Sequence, residues 1–215
     1  MGERQIILWR HGRTSWNAER RFQGQSDIEL DDEGRAQAER AAELLAYLEP
    51  DRIIASDLAR AWATAQALSN RTGVQVRADA RLRETFAGEW EGLSRAELLE
   101  RHGDEVARWA SDSAARPGGG ETRIEVADRV VAAITDGLEE LAESETLVVA
   151  THGGAARAGI GALLELPPEQ WACLGVLSNC AWSILSENST GFGPAWRLQE
   201  YNAGSLPTPA LADDR

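Results

Sequence analysis

The chain has 215 residues and a formal net charge of −13, with 35 acidic residues against 22 basic ones. That length suits one domain with a real core, needing no disulfides or metals, and 43% hydrophobic with 27% charged residues describes a folded globular chain. The negative balance argues against a nucleic-acid partner, since phosphate-backbone affinity comes from clustered cations, and the absence of lysine excludes Schiff-base and P-loop chemistry.

Ile6-Ile7-Leu8-Trp9 is a continuous apolar run, the mark of a strand buried on both faces, with Trp9 packing into the core. Beginning at about Gln5, it leaves no room for a signal peptide. A polar loop is expected through about Leu30. Asp31 or Asp32 then caps a helix with Ala41, Leu44, Leu45 and Leu48 at helical spacing and Pro50 past its end. Residues 52–56 read as a second strand, the Ala-rich stretch from Leu58 to about Asn70 as a helix, and residues 74–77 as a third strand. A loop is expected from about Arg83 to Leu93, with helical patterns over 94–101 and 105–109. Pro117-Gly118-Gly119-Gly120 reads as a flexible break.

The helix expected over 122–143 puts Val126, Val130, Ile134, Leu138 and Leu141 on one stripe. Residues 146–151 form a fourth strand and 154–164 a helix, while 179–186 and 195–201 pair as a late hairpin. Residues 1–203 read as a single domain, and the tail from Gly204, with Pro207 and Pro209, as loosely ordered. Alternating strands and helices imply an α/β fold, a three-layer α/β/α sandwich on a mostly parallel sheet with an antiparallel edge. No apolar run reaches the length of a membrane span. Cys173 and Cys180 read as two reduced, buried thiols of a cytoplasmic protein. The hairpin edge or the Ala-rich helix offers a surface for a homodimer.

Two of the three histidines, His11 and His152, stand directly after apolar strands and before glycine. Ligands of open α/β sheets gather at the carboxyl ends of strands, and an imidazole there can be nucleophile, base or ligand near neutral pH. A histidine that merely caps a turn explains one such case less well when there are two. No G-x-S-x-G, H-E-x-x-H, P-loop or C-x-x-C pattern competes with this pair. His102 reads as a surface or capping histidine, and Glu89 and Glu91 as loop solubilisers. Arg13 either adds charge for a second anionic group or faces solvent. Trp16 lines the mouth of a pocket.

Four blocks in order carry a resemblance. They are Arg10-His11-Gly12 with Trp16-Asn17 and Phe22-Gln23-Gly24; Ser56-Asp57-Leu58-Ala59-Arg60-Ala61 with Thr64-Ala65; Leu82-Arg83-Glu84 with Gly88-Glu89-Trp90-Glu91-Gly92; and Thr151-His152-Gly153-Gly154. The chain thereby resembles the histidine phosphatase superfamily, in the branch of the cofactor-dependent phosphoglycerate mutases. The resemblance implies His11 as nucleophile, with Arg10, Arg60 and His152 around the phosphoryl group and Glu84 as proton donor. It also implies Asn17, Gln23, Gly24 and Gly153 as substrate-binding positions, with no metal and no cofactor, whereas Arg13 departs from the glutamine or glutamate often found at its place and is a candidate substrate-binding residue through its charge alone.

The chemistry agrees with it. A neutral imidazole can attack phosphorus and divide one displacement into two, and guanidinium forks suit non-bridging phosphate oxygens. The carboxyl of Glu84 must carry a proton when the ester bond breaks, placed there by burial or by the incoming dianion. The alternative for Glu84 is an ordinary ion pair with Arg81 or Arg83. The span from Glu84 to His152 is compact and partly acidic, with no evident basic cluster for a carboxylate beyond what Arg116 and Arg123 could offer. Hydrolysis of a small phosphorylated metabolite is therefore favoured over a cofactor-dependent phosphoglycerate mutase. Motif spacing is also similar to branch members that dephosphorylate glucosyl-3-phosphoglycerate. A catalytically dead scaffold fits poorly, because each expected position holds a competent residue.

Overall fold

The structure, a computed structural model, describes residues 3–139 and 141–204. Twelve regular elements follow in chain order: β1 (Gln5–Arg10), α1 (Ser15–Glu19), α2 (Asp32–Ala46), β2 (Arg52–Ala55), α3 (Ala59–Thr72), β3 (Val76–Ala78), α4 (Arg95–Ser111), α5 (Arg123–Glu139), β4 (Thr146–Thr151), α6 (Gly153–Leu163), β5 (Trp182–Glu187) and β6 (Trp196–Ala203). The strands make a six-stranded sheet in the order β3-β2-β4-β1-β5-β6. The first four run parallel, and β5 lies antiparallel to both β1 and β6. This is the mostly parallel α/β fold of the phosphoglycerate mutase type, with a mixed edge.

Strand pleating sorts the apolar runs onto two faces. Ile6, Leu8, Leu147 and Val149 pack with Val126, Val130, Ile134 and Ile160 of α5 and α6. Ile7, Trp9, Val148 and Ala150 pack on the other face with Ala38, Ala41, Leu45 and Leu68 of α2 and α3. Each fully buried aliphatic side chain contributes about 1.5–3 kcal/mol relative to exposure, so a register slip that exchanged the faces would forfeit both layers. Trp9 is fully buried, and its indole N–H donates to the carbonyl of Cys180 at 3.1 Å.

Several sequence expectations change. The polar loop before Leu30 contains α1, closed by a reciprocal capping box between Thr14 and Asn17. In α2, capped by Asp31, the buried face is Gly34, Ala38, Ala41, Ala42 and Leu45, while Leu44 and Leu48 are exposed. Small side chains let α2 sit close, and the bulkier leucines fall on the outer side. The two helical stretches expected around 94–109 are present as the two halves of α4, separated by a non-helical kink at His102. Pro117 to Gly120 is no loose break. Pro117 is buried in a helical turn, and a side chain at Gly120 would collide with the Phe86 carbonyl. Cys180 is buried, as expected, but Cys173 is exposed; both thiols are free. The tail expected from Gly204 onward lies, past that residue, outside the described residues.

Candidate active site

Parallel pairing of β1 with β4 is in register through Arg10 opposite Thr151, so the next residues, His11 and His152, emerge side by side. Neighbouring strands lie about 4.8 Å apart, and the two imidazole centroids are 5.1 Å apart, edge to face. Strand β2 ends one step earlier against β4, which brings Ser56 next to His152. Helix α3 then starts at Ala59, with Arg60 in its first turn. Three strand ends thus deliver the core of the site.

The proton positions follow from the partners. His11 Nδ1 lies 2.7 Å from the carbonyl oxygen of Gly12. A carbonyl can only accept, so Nδ1 carries the hydrogen and Nε2 keeps its lone pair. His152 Nε2 lies 2.9 Å from Ser56 Oγ, which also accepts from the amide of Leu58 at 3.3 Å. The Ser56 hydroxyl hydrogen has no other acceptor among the described residues, so it is assigned to Nε2, leaving the hydrogen of His152 on Nδ1. Burial above all, then the charges of Arg60 and Arg10, holds His11 well below the ordinary imidazole value. Burial and Arg60 do the same to His152. Both rings are therefore neutral at pH 7.

The surrounding donors converge. Arg10 and Arg60 are buried. Nη1 of Arg10 donates to the carbonyl of Leu177 at 2.6 Å, and Arg60 donates to the carbonyls of Ser26 and Gly24, both at 2.8 Å. Asn17 Oδ1 accepts from the amide of Thr14 at 3.1 Å and from Asn179 Nδ2 at 3.2 Å, which directs its own Nδ2 the other way. Among the described residues, Arg10 Nε, Asn17 Nδ2 and His152 Nδ1 are buried nitrogens without a hydrogen-bond partner. A buried unsatisfied donor costs about 1–3 kcal/mol, and these three belong to residues of one cup. The arrangement is built for an oxyanion with several acceptor oxygens.

Glu84 is not an ordinary ion-paired glutamate. Arg81 is taken by Asp79 and Asp136, and Arg83 by Asp57. The carboxylate of Glu84 instead accepts from the amide of Gly154 at 2.9 Å on Oε2, and on Oε1 from Ala155 at 2.9 Å and Thr85 at 2.8 Å. It therefore sits at the N-terminus of α6, two residues beyond His152. Side chains would crowd the site there, because a Cβ at position 154 would lie 2.7 Å from Glu84 Oε1 and displace it, and one at 153 would lie 2.7 Å from Val176 Cγ1 and 3.3 Å from Arg10 Cζ.

Gln23 is buried and accepts from Thr14 Oγ1 at 3.0 Å, and Gly24 serves through its carbonyl. Arg13 is partly exposed and forms an ion pair. Its Nε pairs with Asp31 at 2.8 Å, bracing the cap of α2. Trp16 is half-buried against Gly92. His102 lies within α4, 3.7 Å from Glu105, with its ring 6.2 Å from that of Trp90. Glu91, expected as a solubiliser, binds the amides of Gln25 and Ala87 and the hydroxyl of Ser26, tying the 22–27 loop to the 84–92 loop.

Sequence reasoning also missed Arg129. It donates to the carbonyls of Arg81, Arg83 and Glu84 at 2.6–2.9 Å, is held in turn by Glu121, and so fixes the segment that carries Glu84. No motif marks it, since its partners are backbone carbonyls. Ser56 was detectable in principle, as a polar residue following a buried strand. Among the described residues no cluster of three or more His, Cys, Asp or Glu could hold a metal ion, and no helix is long and apolar enough to cross a membrane.

Residues 6–203 match the model of the histidine phosphatase superfamily, branch 1. The chain belongs to this family. A glucosyl-3-phosphoglycerate phosphatase of Mycobacterium tuberculosis is 40% identical over 217 residues, covering 95% of this chain and 97% of the relative. A probable phosphoglycerate mutase of Salmonella typhi is 36% identical over 213 residues, covering 96% and 97%. Among solved structures, a mycobacterial glucosyl-3-phosphoglycerate phosphatase complexed with VO3 superposes with a TM-score of 0.87 at 40% identity, covering 94% of this chain and 100% of that one. Its close homologues are thus glucosyl-3-phosphoglycerate phosphatases, and the mutase alternative is the weaker one.

Proposed function

We propose that this histidine phosphatase hydrolyses a small phosphorylated metabolite of the glucosyl-3-phosphoglycerate type through a phosphohistidine on His11. The observation that carries this reading is the set of buried, unpartnered donors on Arg10, Asn17 and His152 beside a histidine whose Nε2 lone pair is free of its backbone bond. The lone pair of His11 Nε2 attacks phosphorus as the ester P–O bond breaks, and its electrons pass to the leaving oxygen, which takes a proton from Glu84. Oε2 of Glu84 accepts one amide and has a second lone pair for that proton. Water then attacks phosphorus, the N–P bond returns its electrons to Nε2, and Glu84 takes the proton released by the water. Arg10, Arg60, Asn17 and His152 hold the non-bridging oxygens throughout. Gln23, Gly24 and Gly153 shape the cup, and Arg13 braces the cap of α2 through Asp31.

In the same reading residues 1–203 act as one catalytic domain, without a metal. The free, exposed Cys173 suits a reducing cytoplasm, and the open edge of β6 is the surface available for a second copy. The test is turnover on a panel of glucosyl-3-phosphoglycerate, 3-phosphoglycerate, fructose bisphosphates and phosphoserine, with and without excess EDTA and 2,3-bisphosphoglycerate. Glucosyl-3-phosphoglycerate should lead the panel and be indifferent to EDTA. Interconversion of phosphoglycerates dependent on the bisphosphate would establish the mutase instead. His11→Ala should abolish turnover with an unchanged circular dichroism spectrum.

A further inference from the structure

Beyond Glu84 and Gly154 the cup opens into a pocket walled by Phe22, Trp109, Trp171, Arg123 and Arg157. The last four also wall a wider cleft between α4 and the helical turn at Pro168–Cys173, with Arg95 among its other residues. The two spaces thus share these four residues as a common wall, and both are lined by cations in a strongly acidic protein. Arg157 stands three to four residues after Gly153 and Gly154 on α6, a rise of about 4.5–6 Å from the end that faces the phosphoryl group. It is half-buried, and among the described residues it makes no hydrogen bond and no ion pair. Arginines elsewhere, such as Arg4, Arg81 and Arg129, are tied to carboxylates. Glu169 on the cleft wall does not pair with it. Arg123 is held in place beside it, donating to the Trp109 carbonyl at 2.5 Å with its guanidinium 4.3 Å over the Trp109 ring.

We propose that Arg157, supported by Arg123, is the anchor for a carboxylate on the leaving group, so that this site selects phosphate esters of hydroxy-carboxylic acids. The inference rests on the phosphatase reading and adds the residue that sets its specificity. A half-buried guanidinium with no acid partner lacks the compensation that such a charge requires, and a carboxylate supplies it in bidentate form. The phosphorus-to-carboxylate span of a 3-phosphoglycerate skeleton is roughly 5 Å at ordinary bond lengths, short enough for a carboxylate to lie in the pocket that Arg157 shares with Glu84. The wider cleft lies beyond, where a substituent on the acid, such as a sugar ring, has room.

The experiment compares Arg157→Gln and Arg157→Lys with the parent protein on glucosyl-3-phosphoglycerate and on two esters without a carboxylate, glycerol 3-phosphate and p-nitrophenyl phosphate. Arg157→Gln should raise KM for the carboxylated ester roughly 10–100-fold, the loss of one charge-assisted contact, with little change in kcat and none in KM for the other two. Arg157→Lys should recover part of that loss. Equal effects on all three esters, or none, would overturn the assignment. Binding of glucosylglycerate, read by fluorescence of Trp109 and Trp171, gives a measure independent of turnover: it should saturate for the parent protein and weaken for Arg157→Gln. Retained glucosylglycerate binding with no phosphatase activity would defeat the proposed reaction and leave the subsite standing. Identical binding by both proteins would defeat the subsite alone.

Discussion

Placing two neutral imidazoles side by side in a buried, arginine-lined cup has a consequence for stability in mild acid. Both histidines are held well below their ordinary value of 6.5, chiefly by burial, so below that pH the unfolded chain binds more protons than the folded one. Their contribution is complete above pH 6.5 and is lost progressively as pH falls from there toward the depressed folded values. Each such histidine tilts the unfolding free energy by about 1.4 kcal/mol per pH unit inside that window. Between pH 7.5 and pH 5 the pair removes up to about 4 kcal/mol, a large share of the usual 5–15 kcal/mol. Urea unfolding at half-unit steps of pH measures this directly, and the interval above pH 5 separates it from the carboxylates, whose losses begin lower. His11→Asn keeps a donor for the Gly12 carbonyl and removes one titrating ring, so its slope should fall to about half. A parent slope near zero between pH 6.5 and pH 5 would refute the claim that both rings are neutral and buried in the folded protein.

Glu84→Gln should reduce turnover of sugar phosphates far more than that of p-nitrophenyl phosphate, whose leaving group needs no proton; equal losses on the two would argue against a proton donor. Arg129→Met removes three bonds to the carbonyls behind Glu84. It should lower kcat on alkyl phosphates roughly 10–100-fold, as a small misplacement of a catalytic group does, with the p-nitrophenyl phosphate rate largely kept. A uniform loss on both substrates would mean a general destabilisation instead.

The nucleophile block and the last block were legible because their residues adjoin the strands that place them. His11 and His152 follow apolar runs whose pairing is parallel and in register, so a one-dimensional pattern already fixes a three-dimensional neighbourhood. The helix stripes of α5 were legible for a similar reason, as the period of 3.6 reports a buried face. The face of α2 was misread, because small residues that allow close packing carry little hydrophobic signal while the leucines beside them carry much.

The amino-acid order by itself determined the alternation of strands and helices, the strand-end histidines and the identity of the four blocks, since periodicity and backbone preference act within a few residues. Only the tertiary structure decided that both histidines are neutral, that Glu84 rests on the first turn of α6, that Arg13 pairs with Asp31, and that Arg157, in a pocket wall, has no acid partner among the described residues. These depend on burial and on partners distant along the chain, such as Glu84 and Ala155, 71 positions apart. Desolvation and charge pairing are properties of the packed chain, and local sequence carries no record of them.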